Sequence, residues 1–286
     1  MPKGARTAAA LLSLLACATI HAHDPAKQPP PDPERLIEFP DTANYRTLVF
    51  DPHTHSSFSD GHVWPRIRIG EAWRDGLDAI AITEHLEWQP HLADIPHPDR
   101  NRAYQLAVEA NGDAPLMVIA GAEITRHDEP GHINAVFIED ANSLLRPFQP
   151  PDPADSIAYF RAMHEFPAQQ ALDSALEQGA FLFWNHPWWG PEIPDQIPVV
   201  QPFHRDNARA GKLHGIEIAN GQYYSEEAFR IALELDLTLI GVSDVHELID
   251  WDYQPHNGGH RPVTLVLAEE RSPESLREAL LAGRTA

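Results

Sequence analysis

Cysteine is almost missing from this 286-residue chain: Cys17 stands alone. One thiol excludes intrachain disulfides and any zinc site built from several thiolates. Positive charge is scarce as well. Lys and Arg number 21 against 42 Asp and Glu, a formal net charge of −21, and the only lysines are Lys3, Lys27 and Lys212. Gripping nucleic acid through its phosphates takes a basic face, so no nucleic-acid partner is expected. No apolar run reaches the about 20 residues that a membrane-spanning helix needs. With 43% hydrophobic residues the chain is nonetheless too apolar to be a disordered acidic polymer. Its length allows one large α/β barrel or two small domains. What it holds in excess is histidine, at 17 residues.

Lys3 and Arg6 precede an apolar run over 8–20, and Ile20 and Ala22 occupy the positions that a signal peptidase reads. Residues 1–22 are therefore expected to be a signal peptide, and the protein to be secreted or periplasmic, an oxidising setting that suits a mature chain without cysteine. An alternative uses Leu14-Leu15-Ala16-Cys17 as a lipoprotein processing site, with Cys17 anchored in the envelope. Residues 23–46 carry Pro25, Pro29, Pro30, Pro31, Pro33 and Pro40 and read as an extended tether or wrap. The folded domain is expected over 47–286.

Within it, β-rich apolar runs at 47–50, 79–83, 117–120, 133–138, 181–184, 215–219, 237–242 and 262–267 alternate with helical patterns at 65–75, 100–110, 168–178 and 225–236. A last helix starts at Ser272-Pro273 and is closed by Gly283. Continuous apolar strands alternating with helices predict a parallel α/β barrel, with a doubly wound open sheet as the alternative. Residues 145–167, with five prolines, read as an insertion or lid.

The polar groups gather where strands end, which is where barrels place their chemistry. His53, His55, His85, His132, His186 and His246, with Asp60, Glu123 and Asp244, all lie at or beside strand termini. Imidazole and carboxylate suit Zn, Mn or Fe, and nine such groups exceed one ion's needs. His53 and His55, two apart on an extended segment, point to one side, and Asp244 and His246 repeat the spacing. Isolated histidines capping strands would account for any one of these, but not for the set.

In chain order, His53-Thr54-His55-Ser56, Ser59-Asp60-Gly61, Thr83-Glu84-His85, Gly121-Ala122-Glu123-Ile124, His132, Asn185-His186-Pro187 and Ser243-Asp244-Val245-His246 resemble the successive motifs of the PHP (polymerase and histidinol phosphatase) family. The resemblance implies a single-domain, distorted (β/α)7 barrel holding two or three divalent ions. It implies one ion on His53, His55, Glu123 and Asp244, a second shared by Glu123 with His132 and His186, and a third on Asp60, His85 and His246. Asp60 departs from members with histidine there, and Glu84 from many with aspartate. The stretches His62-Val63-Trp64-Pro65, Glu87-Trp88-Gln89-Pro90-His91 and Ile95-Pro96-His97-Pro98-Asp99-Arg100 are similar to secreted members described as phosphodiesterases on small organic phosphates.

A phosphodiesterase using a hydroxide shared between ions on Glu123 and Asp244 is therefore the expected activity. A phosphomonoesterase of the histidinol-phosphatase type is the alternative within hydrolases, and a non-catalytic periplasmic metal-binding protein the alternative of another class. Amide hydrolysis through a carboxylated lysine is disfavoured, because no lysine lies at a strand exit. Arg126 and Arg261 are the candidates for contacting phosphate. His62 or a metal-bound water is the candidate for protonating the leaving group. His91 and His97 lie in a loop that could line the mouth, and Trp88, Trp188, Trp189 and Trp251 could wall it. The remaining histidines, His127, His164, His204, His214, His256 and His260, are expected at the surface.

Overall fold

The computed structural model describes residues 31–126, 129–146, 148, 151–152, 155–190 and 193–286. The expected signal peptide, Cys17, Lys3 and Lys27 lie outside them. Among the described residues no helix is long and apolar enough to cross a membrane.

The strands β1 (Arg46–Asp51), β2 (Ala79–Ile82), β3 (Met117–Ile124), β4 (Ile133–Val136), β5 (Phe181–Trp184), β6 (Gly215–Asn220), β7 (Tyr223–Tyr224), β8 (Thr238–Val242) and β9 (Thr264–Ala268) form one sheet. Ala-Ile-Ala-Ile of β2 and Phe-Leu-Phe-Trp of β5 are buried at every position. Such unbroken apolar runs are what a sheet covered on both faces requires. Helices α1 (Pro65–Arg74), α2 (Arg102–Asn111), α3 (Ser156–His164), α4 (Ala168–Glu177), α5 (Pro202–Arg209), α6 (Glu226–Leu235), α7 (Ile249–Asp252) and α8 (Pro273–Leu281) accompany it. Their boundaries follow local chemistry. Ser225 Oγ accepts from Ala228 N and Ser272 Oγ from Ser275 N, each satisfying an orphan amide of a first turn. Pro65, Pro202 and Pro273 open helices where no intrahelical N–H is needed.

The strand order is β7-β6-β5-β4-β3-β2-β1-β9, with β8 beside β6. The sheet curls until β8 meets β9, where Thr264 Oγ1 accepts from Gly241 N at 3.0 Å and donates to Gly241 O at 2.8 Å. This is the distorted barrel expected, but it is not all-parallel. β4 is antiparallel to β3 and β5, and β9 is antiparallel to β1. The reason is loop length. β3 runs on to Ile124, and only 125–132 connect it to β4, too few residues for the crossover of about a dozen that a parallel return needs. Reversal brings the start of β4 to the rim where β3 and β5 end, with Ile133 opposite Ile124 and Trp184.

The segment read as an insertion or lid holds α3, whose Asp155 cap accepts from Ala158 N. Tyr159 and Met163 are buried, and the Tyr159 hydroxyl donates to Leu86 O at 3.0 Å. The helix is thus packed under the loop that carries His85. At the other side, Asp32 N donates to Arg74 O and Ile37 N to Asp75 O, so residues 32–37 are strapped to the end of α1. Arg35 between them pairs with Asp75 and Asp250.

Arg261 corrects an expectation. Its side chain is fully buried, with Nη2 2.6 Å from Asp75 Oδ2 and Nη1 3.2 Å from Asp51 Oδ2. It balances two buried carboxylates behind the β1 exit, is sealed from solvent and does not line the cleft over the donors. Removing one partner of a buried ion pair leaves its mate uncompensated. Arg261→Met is expected to lower the unfolding free energy by about 3–5 kcal/mol in urea titrations of the metal-free protein. A loss below about 1 kcal/mol would argue for a peripheral arginine instead.

Candidate metal centre

Two isolated bridges align the site. Thr54 pairs in parallel with Val245, and His85 with Glu123. Residues flanking a parallel bridge project to the same side. The Thr54–Val245 bridge therefore lays His53 and His55 against Asp244 and His246, held by His55 N to Val245 O at 3.2 Å and Asp244 N to His53 O at 3.0 Å. Asp244 sits at φ +50°, a strained conformation for an L-residue of the kind concentrated at functional sites.

His53 Nε2 and His55 Nε2 are 2.9 Å apart. Glu123 Oε2 lies 3.2 Å from each, and Asp244 Oδ1 lies 3.2 Å from His53 Nε2 and 3.1 Å from His55 Nε2. These five separations are close to the about 3.3 Å expected between donors about 2.0 Å from a zinc-like ion. The other Glu123 oxygen, Oε1, is 2.8 Å from His132 Nδ1 and 3.6 Å from His186 Nε2. A third group joins Asp60 to His246 Nε2 at 3.2 Å, to His85 Nε2 at 3.3 Å and to His55 Nδ1 at 3.7 Å. All nine residues singled out in the sequence thus converge. His55 belongs to two groups, its ring lying between those of His85 and His246 at 4.5 and 4.4 Å.

Within these groups three buried atoms lack any hydrogen-bond partner: Asp244 Oδ1, His132 Nε2 and Asp60 Oδ1. Each lies in a different group, and a buried unpaired donor or acceptor is costly. Divalent cations fit these places: the donors are all imidazole nitrogen and carboxylate oxygen, and the orphans are what a cation would satisfy.

A surrounding shell fixes the ligands. Glu217 Oε1 accepts from His53 Nδ1 at 2.7 Å, so Nε2 presents its lone pair inward. Asp244 O accepts from His246 Nδ1 at 2.8 Å with the same result. Asn185 Nδ2 donates to Glu123 Oε1, and Asn220 Nδ2 to Asp244 Oδ2, both at 2.9 Å or less. Glu84 binds Ser56 and Ser59, bracing the loop to Asp60. Gly61 is required there, since a Cβ would stand 2.8 Å from the backbone of His55 and Ser56. Glu217 escaped the sequence reading although Gly-Ile-Glu-Ile-Ala alternates, which was the sign that it faces inward.

Burial opposes the charges in this centre, yet for Glu123, Asp60, Asp244, His53, His85 and His246 mutual attraction wins. Against its own desolvation, Glu123 is held well below the usual carboxylate range by His85, His53 and His132. Burial would lower His53 and His85, but Asp244, Glu123 and Glu217 raise the first, and Glu123 and Asp60 the second, well above the ordinary imidazole value. His246 rises to about 9 beside Asp60 and Asp244, again against desolvation. For His132 burial dominates, and its value falls to about 4.

Other expectations fare differently. Arg126 is buried, with Nη1 on Glu87 and Nη2 donating to Phe166 O at 2.8 Å, so it too is a structural cation. His62 is exposed on the rim with Nδ1 on Glu247. His97 is buried against Phe58, and His91 lies near His62; neither lines the cleft. Trp188 and Trp189 do line it, whereas Trp88 packs on Phe160 and Trp251 is exposed. His204, expected at the surface, is buried, stacked on Trp184 with Nε2 donating to Pro130 O at 2.7 Å. His214 is half-buried and accepts from Leu182 N, and His164 is part-buried against Phe160; His256 and His260 are exposed, and His127 lies outside the described residues.

Because His53, His85 and His246 hold protons to higher pH than free imidazole, a cation must displace those protons to bind. Titrating Mn2+ or Zn2+ into chelator-stripped protein is expected to release protons, with apparent affinity rising from pH 6 towards pH 9. Calorimetry in two buffers of different ionisation enthalpy measures this, and zero release would contradict it. Glu217→Gln, which removes the charge behind the His53 ring and one of the two oxygens that accept here, should weaken metal binding about 10–100-fold.

No family model matches the chain, and no curated protein does. Solved structures do. A two-domain protein from Bacteroides vulgatus, containing a predicted PHP-like metal-dependent phosphoesterase, is 42% identical over 91% of this chain and 69% of its own, with a TM-score of 0.79. A protein from Bifidobacterium adolescentis described as a metal-dependent phosphoesterase is 18% identical over 70% of this chain and 88% of its own, TM-score 0.49. An amidohydrolase from Chromobacterium violaceum with bound sulfate is 16% identical over 83% of this chain and 97% of its own, TM-score 0.49. Taken with the converging histidines and carboxylates, the first of these likenesses shows that the chain belongs to the PHP-like metal-dependent phosphoesterases.

Proposed function

We propose that this metal-dependent phosphoesterase is an exported phosphodiesterase acting on small organic phosphate diesters. One observation carries the diester reading. The cleft over the donors, about 260 Å³, is lined by Asp60, His85, His132, His186, Trp188, Trp189, Asn220, Asp244 and His246, with no arginine or lysine among them. The two arginines near the strand exits are engaged with buried carboxylates. A monoester dianion is ordinarily gripped by such cations; a diester, with one negative charge, depends on them less. The acidic surface also repels a monoanion less than a dianion.

Divalent ions bound here would lower the pKa of water and polarise phosphoryl oxygens. The protein's own share is orientation. Glu123 spans two donor groups, Glu217 and Asp244 O set the tautomers of His53 and His246, and Trp188 and Trp189 present apolar faces that limit water. Among the described residues no serine, threonine, cysteine or lysine lines the cleft, which supports direct attack by water rather than a covalent enzyme intermediate. Export rests on the basic, apolar and small-residue pattern over 1–22.

With metal-loaded protein, bis(4-nitrophenyl) phosphate is expected to turn over at least about tenfold faster than the monoester, and Glu123→Gln and His186→Ala to lose more than about 100-fold. Monoester preference would replace the diester reading. Bound metal with no hydrolysis of either would favour a metal-binding role. For export, the periplasmic protein should begin at His23; an acylated Cys17 would make it lipid-anchored.

A further inference from the structure

A second cavity, about 180 Å³, adjoins the metal cleft, and His132, His186 and Trp189 line both. Trp189 stands where they meet, 5.2 Å from the His132 ring and 5.5 Å from the His186 ring. Beyond it the wall is largely apolar: Pro130, Trp184, Pro187, Ile193 and Val199. The polar side chains of the same wall are already engaged. Arg126 pairs with Glu87, Asn185 binds Glu123 and Asn134 N, His204 donates to Pro130 O, and Gln201 and His204 form a reciprocal helix cap. Glu129 Oε1 accepts from Phe203 N.

From this we propose that the second cavity is the specificity pocket of the enzyme and takes one uncharged, ring-sized organic arm of the phosphoester while the phosphoryl group lies over the metal centre. This rests on the phosphoesterase reading for its substrate, though not on diester over monoester preference. Three observations fix the class of arm. The cavity adjoins His132 and His186, so an ester bridging the two spaces has its phosphorus at the donors. Its wall offers little unpaired polarity, so a charged or sugar-like arm would lose hydrogen bonds that nothing replaces. Its volume suits one ring and little more, a cavity of about 150 Å³ being sufficient for benzene. Trp189 supplies the flat face such a ring would stack on.

The test separates the pocket from the chemistry by measuring binding. Methyl-, phenyl- and 1-naphthylphosphonate are titrated calorimetrically into metal-loaded protein, with metal content assayed in parallel. Phenylphosphonate should bind about tenfold or more tightly than methylphosphonate, and 1-naphthylphosphonate should lose that advantage. Ile193→Trp, which fills the cavity from its far wall, should abolish the phenyl preference with metal content and methylphosphonate affinity unchanged. Ile193→Ala should admit the naphthyl ring. Equal binding of methyl and phenyl ligands, or a phenyl preference that survives Ile193→Trp in protein of normal metal content, overturns the proposal. Failure to hydrolyse any phosphoester alongside an intact phenyl preference would sink the enzymatic reading and leave the pocket standing.

Discussion

The carboxylate of Glu123 is the constraint around which the rest is arranged. It is fully buried at the end of β3, one oxygen shared with His53 and His55, the other with His132 and His186. An isolated charge at that depth would be untenable. The barrel answers by pointing imidazoles at it from the β1, β2 and β5 exits, and by turning β4 around so that His132, at its start, can reach it. Whatever positive charge occupies the centre, protons in the stripped protein or cations in the loaded one, is there because this carboxylate has no water to turn to.

The same electrostatic logic organises the arginines. An acidic chain with few cations uses several of them internally: Arg261 and Arg35 on Asp75, Arg68 on Glu71, Arg126 on Glu87. Each is paired with a buried carboxylate, and Glu71 in turn accepts from Ile249 N to seat α7. The cleft is therefore left to neutral aromatic and ligand side chains. Selectivity for the organic part of a substrate then falls to shape and apolar contact more than to charge.

Much of this was legible locally. Apolar runs located the strands because burial on both faces leaves no polar alternative, and Ser225, Ser272 and Pro65 marked helix starts through the amides they satisfy or remove. The nine donors were visible because strand ends are where a barrel exposes side chains. What stayed hidden depends on partners far along the chain. An apolar run reads the same in either direction, so β4 gave no sign of its reversal except the shortness of 125–132. Helix α3 was masked by flanking prolines, although Asp155 is an ordinary cap. Arg126 and Arg261 stand at strand exits like functional residues; only Glu87, Asp51 and Asp75, brought from elsewhere, decide that they are structural. Thr54 and Val245 carry no chemistry of their own, yet their pairing turns two spaced motifs into one centre.

The pairing of β1 with β9, and of Thr54 with Val245, joins the beginning of the folded chain to its end. His53 and His55 therefore have no Asp244 or His246 to meet until almost the whole polypeptide has been made. The centre cannot form on a partial chain. Metal acquisition is thereby postponed until folding is nearly complete, so a partial chain offers an ion only scattered ligands.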